Sequence, residues 1–167
     1  MRVVLENPTR IGELLAGLRH FEPGVRMRAA DALEKASRVR PEFLHGRAPI
    51  LLGIAGRTDQ PEVQWHLAQM LPRLAFRAGA RRRAWRQLHA WLSSRSRIVQ
   101  ACSLEGLALL AANDAALRAR TADLVRRALR QGSPAVRARA RNVWRAMGRV
   151  SLARLRRRPG AAPSDDG

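Results

Sequence analysis

The chain has 167 residues and a formal net charge of +19, and its length suits one domain with a continuous core. No stretch approaches the roughly 18 apolar residues of a membrane span, and the first residues are too polar for a signal peptide. Because Cys102 is the single cysteine, no intrachain disulfide can form. These properties exclude membrane-spanning and disulfide-stapled classes and predict a cytoplasmic protein.

A valine recurs four times in the chain, at intervals of 38, 36 and 37 residues. The residues 4, 7, 8 and 11 positions after each valine are mostly apolar, and these offsets lie on one face of a helix. A proline stands near the start of three of these helices, where its missing N–H is not needed. Self-similarity at this period predicts stacked helical units, here called units one to four. Their valines are Val25, Val63, Val99 and Val136.

Each unit is predicted to contain two helices. The first helices are predicted at about 9–20, 41–56, 81–94 and 114–130. The second helices, which carry the valines, are predicted at about 23–38, 61–77, 97–111 and 134–148. No segment alternates between apolar and polar residues for long enough to predict a strand. The predicted fold class is therefore all-α, as an α-solenoid (α-α superhelix) of about four helical hairpins, with an ordinary α-helical bundle as the alternative.

The repeat domain is expected to span residues 1–150, followed at 151–167 by a tail that is first basic and then flexible. Two residues interrupt the second helices. Pro72 should kink or end the second helix of unit two, because proline cannot donate the helical hydrogen bond. Gly106, within the second helix of unit three, permits close approach of another helix. The units themselves are expected at about 9–38, 41–77, 81–111 and 114–148.

The second helices resemble those of HEAT repeats. The resemblance is carried by the turn and helix start at 61–64 (Pro-Glu-Val-Gln) and by the helix from Val25 to Leu33. It covers roughly residues 9–150, and unit three departs most, since Arg97 replaces the proline there. In HEAT proteins two antiparallel helices form each unit, and the units stack into a curved solenoid. The resemblance thus implies a scaffold that binds partners, usually on the concave face lined by the second helices.

The positive charge is concentrated in the later part of the chain. Residues 1–62 hold ten basic and eight acidic side chains, whereas residues 63–158 hold 22 arginines and three acids. A GC-rich genome would explain why Lys35 is the single lysine, but it would not explain the shortage of Asp and Glu. Clustered arginines with few acids are typical of a protein that binds a polyanion. An acidic protein partner and an ordinary solvated surface are the alternatives.

Seven side chains are candidate binding residues. Arg137, Arg141 and Arg145 are each one helical turn apart and form a ridge outside the apolar stripe, where guanidinium groups can fork onto phosphate or carboxylate oxygens. Trp65 lies off the centre of the stripe and is a candidate exposed platform for stacking, with burial as the alternative. The other candidates are Arg28, His66 and Arg139. Burial in the core or between units is predicted for Trp85, Trp91 and Trp144.

A polar ladder flanks the apolar stripe of the second helices. Its first column lies three positions after each valine and consists of Arg28, His66, Cys102 and Arg139. Its second column lies six positions after each valine and consists of Asp31, Gln69, Glu105 and Asn142. Stacking would align these columns either into a groove that binds a partner or into hydrogen bonds between neighbouring units.

Catalysis finds little support in the sequence. A weaker likeness links the chain to one HEAT-like class, the alkylation-repair DNA glycosylases, which place an aspartate one helical turn from a tryptophan. Here the residues one turn after the four tryptophans are Gln69, His89, Arg95 and Gly148. No carboxylate stands at that spacing, no Cys/His cluster has metal-site spacing, and no glycine-rich phosphate loop follows a strand. We therefore predict no enzyme activity, no catalytic residue, no metal and no cofactor.

The sequence favours a scaffold that contacts nucleic acid phosphates through the arginines of units three and four. The alternative is an adaptor that binds an acidic segment of a partner protein through the same surface. A glycosylase-like enzyme is the least favoured function. No membrane association and no small-molecule substrate are predicted, and the sequence leaves the oligomeric state open.

Overall fold

The computed structural model describes residues 7–76 and 78–156. Over these residues the backbone forms eight α-helices and no strand, which confirms the predicted all-α class. Residues 1–6, residue 77 and residues 157–167 lie outside the described part of the chain. Most of the predicted basic and flexible tail therefore falls where the structure gives no description.

The helices follow the predicted order of first and second helices, with changes at some of their ends. They are α1 (Ile11–Gly17), α2 (Pro23–Val39), α3 (Ala48–Ala55), α4 (Pro61–Met70), α5 (Ala78–Ala90), α6 (Arg97–Ala111), α7 (Ala115–Gln131) and α8 (Pro134–Arg156). Short 3-10 turns adjoin them at Pro8–Arg10, Pro41–Leu44, Leu71–Arg73 and Trp91–Ser93. The last helix runs on to Arg156 rather than ending near residue 148, so the start of the predicted tail is helical.

The second helices pack side by side in chain order, with α2 against α4, α4 against α6 and α6 against α8. The first helices α1, α5 and α7 pack against the second helices of their own units, and the shorter α3 contacts α4 and α5. Within the described chain, every helix pair with extensive contact is adjacent in sequence or separated by one helix. The core is therefore built from near neighbours along the chain.

The predicted apolar stripe forms the core. The valines of units two, three and four are buried, and Val25 of unit one is half-buried. Eight positions after the valine, units one to three carry leucines with 0% exposure, namely Leu33, Leu71 and Leu107. Trp144 occupies this position in unit four and is 41% exposed. The prediction that Trp144 is buried in the core or between units is wrong, because the α7 residues beside its ring, Ala115, Ala119 and Ala122, are small and leave an open hollow.

Pro72 and Gly106 shape the junction between units two and three. The helix α4 ends at Met70, and a 3-10 turn at Leu71–Arg73 leads into extended backbone, which confirms that Pro72 ends the helix. A methyl group at Gly106 would lie 2.8 Å from the carbonyl oxygen of Ala68. As predicted for this glycine, α6 approaches its neighbour more closely than a side chain would allow.

One hydrogen bond recurs at the start of every second helix. The residue directly after each valine donates its side chain to a backbone carbonyl oxygen five or six residues earlier, in the preceding loop. The pairs are Arg26 Nη1 to His20 O (2.9 Å), Gln64 Nε2 to Thr58 O (3.0 Å), Gln100 Nε2 to Ser94 O (2.6 Å) and Arg137 Nη1 to Gly132 O (2.9 Å). These bonds tie each loop to its helix, so the four units share a local construction as well as a sequence period.

Candidate functional site

Exposed arginines without a carboxylate partner cover much of units three and four. Three acids lie between residues 78 and 156, and the fold uses all of them. Glu105 forms an ion pair with Arg139, and Asp123 forms one with Arg126. Asp114 caps α7 by accepting a hydrogen bond from the backbone N–H of Leu117 at 3.0 Å. Among the side chains that the structure describes after residue 77, the exposed arginines not paired with an acid are Arg82, Arg83, Arg86, Arg95, Arg97, Arg120, Arg127, Arg130, Arg141, Arg145 and Arg149.

The predicted ridge on α8 divides into one arginine that the fold uses and two that face solvent. Arg137 is half-buried and donates a hydrogen bond to the carbonyl oxygen of Gly132. Arg141 and Arg145 are exposed, and no hydrogen bond or ion pair joins either of them to another described residue. Their guanidinium groups are therefore free to bind an anion.

Trp144 stands beside these two arginines. Arg141 precedes it by three residues, which makes the two side chains neighbours on the helix surface. From α7, the guanidinium carbon of Arg126 lies 5.7 Å from the centre of the Trp144 ring, within the range of a cation–π contact. The structure thus gathers an exposed indole and arginines from two helices in one place.

A hollow of about 380 Å³ opens between α7 and α8 at this place. Its lining consists of Ala115, Arg118, Ala119, Ala122, Trp144, Met147 and Gly148. The Nη1 atom of Arg118 is buried and has no hydrogen-bond partner within the described protein. A buried donor without a partner is uncommon in folded proteins and costs free energy, so this guanidinium has unused capacity at the edge of the hollow.

The polar ladder joins neighbouring units. Arg139 of unit four forms its ion pair with Glu105 of unit three. His66 Nε2 of unit two lies 3.9 Å from Asp31 Oδ1 of unit one. In both cases a residue three positions after its valine meets an acid six positions after the preceding valine. This geometry favours the structural interpretation of the ladder, while Arg28 of the same column is exposed.

His66 is buried, and burial favours the neutral form of its ring. Burial lowers the pKa of His66, and the carboxylates of Asp31 and Glu34 offset this only in part. The Nδ1 atom of its ring is also buried, without a hydrogen-bond partner in the described protein. A neutral ring enclosed between two units is a weak candidate for binding a large anionic partner.

The sequence pointed to Trp65 as the exposed tryptophan, but the structure exposes Trp144 instead. Trp65, the candidate stacking platform, is half-buried, packs against the core and meets His66 edge to face at 5.4 Å. Trp85 and Trp91 are buried as predicted. The exposed tryptophan is Trp144, and the sequence pattern gave no signal of this, since its column is apolar in every unit.

One arginine of α7, Arg120, lies over Trp85. The guanidinium carbon of Arg120 lies 4.8 Å from the centre of the Trp85 ring, and the indole N–H donates to the Thr121 hydroxyl at 3.0 Å. Because this ring is only 2% exposed, Arg120 covers it as part of the fold. The arginines of α7 therefore lie on two sides of the helix. Arg120 lies over Trp85, whereas Arg126 lies over Trp144 and so faces α8.

Among the described residues, no three His, Cys, Asp or Glu side chains are grouped so that they could hold a metal ion. Over the same residues, no helix combines the length and the apolar character needed to cross a membrane. No family model matches the chain, and neither a curated protein nor a solved structure does. The candidate functional residues are therefore the exposed arginines of units three and four and Trp144.

Proposed function

We propose that the chain is an α-solenoid of four HEAT-like helical hairpins that acts as a non-enzymatic scaffold and binds nucleic acid phosphates through arginines of units three and four. Two observations support the architecture. Second helices pack in chain order, as expected when each unit contacts only its neighbours. The same bond between loop and helix recurs in every unit.

The main support for this function is the set of exposed arginines in units three and four that no described carboxylate neutralises. Glu105, Asp114 and Asp123 are all engaged within the fold, so the surrounding guanidinium groups repel one another. A partner that brings many negative charges relieves this repulsion. Phosphates suit the arginines because each can accept two parallel N–H bonds from one guanidinium group, and binding releases condensed counterions from the nucleic acid.

Fluorescence anisotropy with labelled single-stranded and duplex oligonucleotides of increasing length tests the proposal. We expect affinity to rise with length, because a longer phosphate lattice offers more sites, and to fall steeply as salt is raised. Unlabelled poly-glutamate serves as competitor. If poly-glutamate displaces the oligonucleotide as well as nucleic acid of equal charge does, the partner is an acidic protein segment and the proposal fails.

A matched pair of double variants separates a binding surface from net charge. Arg141→Gln/Arg145→Gln removes two exposed arginines of α8, and Arg19→Gln/Arg57→Gln removes two exposed arginines of units one and two. Both variants lower the net charge equally. We expect only the first to weaken binding and to reduce the salt slope by about two. Equal losses in both variants would mean that overall charge, and no particular surface, attracts the nucleic acid.

A further inference from the structure

Trp144 differs from every residue at the same position of the other units. Those positions hold leucines that are completely buried, whereas Trp144 is 41% exposed. Tryptophan is on average a highly buried residue, and an indole that is partly exposed offers a flat face on which a ligand ring can stack. The ring also forms a wall of the hollow between α7 and α8. Trp144 is therefore placed to contact something that enters the hollow.

The hollow is open because its other walls are small. Ala115, Ala119 and Ala122 line the α7 side, and Gly148 lies on the α8 side one turn after Trp144. A methyl group at Gly148 would meet no atom within 4 Å, so close packing does not explain this glycine. The volume of about 380 Å³ falls in the range of about 300–1,000 Å³ that is usual for pockets that bind small molecules. A flat ring fits beside the indole.

The charge around the hollow favours an anion attached to that ring. Arg118 supplies a buried Nη1 without a partner, and Arg141 lies one turn before Trp144 on the same helix. The acids nearest in sequence are Asp114 and Asp123. Asp114 accepts the capping bond from the Leu117 N–H at the positive end of α7, and Asp123 is paired with Arg126, so positive charge within the protein partly compensates both carboxylates.

We infer that the Trp144 hollow receives one unpaired base of a single-stranded nucleic acid, which stacks on the indole while Arg118 and Arg141 bind adjacent phosphates. The inference rests on the proposed function and refines it. A duplex keeps its bases inside its own stack, so it cannot present a base to the hollow. A single strand offers a flat ring and a phosphate in every residue, and stacking on an exposed aromatic is the usual way to hold such a strand.

Trp144→Leu is the central variant, because leucine is the residue that the other units carry at this position. It is compared with the unaltered chain for binding to a single strand and to a strand of equal length whose bases are replaced by abasic sites. We expect the unaltered chain to bind the normal strand at least about tenfold more tightly. In the variant this difference disappears. Quenching of tryptophan fluorescence by the normal strand should be lost as well.

Gly148→Leu provides a second test that removes no existing contact. The leucine would fill the hollow, and we expect it to lower affinity for the normal strand to that for the abasic strand. Ala146→Leu adds the same side chain at an exposed position of α8 that does not line the hollow, and it should preserve the preference. Far-ultraviolet circular dichroism confirms that each variant is folded.

The outcomes distinguish this inference from the proposed function. If both strands bind equally well to the unaltered chain, while Arg141→Gln/Arg145→Gln still weakens binding, the phosphate scaffold stands and the base site is overturned. If no nucleic acid binds, both proposals fail. If sedimentation velocity shows a dimer that Trp144→Leu converts to a monomer, the hollow belongs to a second copy of the chain, which overturns the base site. The base site is also overturned if an acidic peptide displaces the strand and this displacement requires Trp144.

Discussion

Units one and two use most of their charges to hold the fold, whereas units three and four leave most of theirs unpaired. In the first two units four carboxylates form ion pairs with a basic side chain, namely Glu13, Asp31, Glu34 and Glu42. The most buried is Glu34, which is bound by Arg38 at 2.6 Å and by Arg73 at 2.7 Å. In the last two units three acids are engaged and the exposed arginines outnumber them. One helical frame therefore carries a first half with nearly balanced charges and a second half with a large excess of exposed arginines.

Glu34→Gln should have the largest effect on stability. The carboxylate of Glu34 is 1% exposed and joins Arg38 of unit one to Arg73 of unit two. Its loss leaves two guanidinium groups without their partner, and we expect the free energy of unfolding to fall by about 3 kcal/mol. The effect lies at the low end of the range for a broken buried pair because both arginines still reach water. Urea denaturation at pH 7 measures it, and a loss below about 1 kcal/mol would show that this half is not held by its charges.

Gly106→Ala tests the junction between the two halves. The added methyl group would lie 2.7 Å from Leu88 Cδ1 and 2.8 Å from the Ala68 carbonyl oxygen. Because the oxygen belongs to the backbone and cannot swing away, α6 must shift, and we expect a loss of about 1–3 kcal/mol. Gly148→Ala is the matched control, since its methyl group meets nothing within 4 Å and removes a helical glycine, which stabilises by roughly 0.5–1 kcal/mol. Thermal unfolding of the two variants should change in opposite directions.

The pH dependence of stability should reflect His66 in mild acid and Glu34 in stronger acid. The pKa of His66 is lowered in the folded chain, chiefly by burial, so the unfolded chain takes up its proton first. Stability is therefore complete above the ordinary value of about 6.5 and falls as the pH drops below it. Burial alone would raise the pKa of Glu34, but the hydrogen bonds and charges of Arg38 and Arg73 hold it below its ordinary value. A second decline should follow as the pH falls below about 4.3.

The urea midpoint between pH 7.5 and pH 4.5 checks the first of these declines. We expect His66→Gln to flatten the decline that the unaltered chain shows in this range, since glutamine does not titrate. Below that range, Glu34→Gln should flatten the second decline. A profile for His66→Gln that matches that of the unaltered chain would show that another group is responsible.

Glu105→Gln should have the smallest effect. Its ion pair with Arg139 links units three and four, but both side chains are about two-fifths exposed, so water screens the pair. We expect a loss of about 0–1 kcal/mol in urea denaturation. A loss as large as that of Glu34→Gln would break the comparison, because units three and four would then also be held by buried charge.

The order of the helices could be predicted from the sequence because it depends on a repeated local pattern. An apolar stripe must be buried wherever it occurs, and Pro72 ends a helix through its own covalent structure. The exposure of Trp144 could not be read from the same pattern. Its column is apolar in every unit, but whether such a residue is covered depends on the size of the side chains that face it, which here are alanines of α7.

The roles of individual arginines were harder to predict. Arg137 and Arg141 are equivalent in spacing and charge, yet Arg137 reaches the carbonyl oxygen of Gly132 and Arg141 faces solvent. That difference depends on the path of the loop before α8, which composition does not encode. The residue after each valine is Arg, Gln, Gln and Arg in turn. All four have a long side chain that can donate a hydrogen bond, and this was the feature of the sequence that could have indicated the recurring bond to the loop.

The salt dependence of oligonucleotide binding shows most directly whether the arginines of α8 contact phosphates. It is measured for Arg141→Gln/Arg145→Gln and for Arg19→Gln/Arg57→Gln. We expect the plot of log affinity against log salt concentration to become shallower by about two for the first variant and to stay unchanged for the second. Identical slopes for both variants and the unaltered chain would contradict this expectation, because the arginines of α8 would then contact no phosphate.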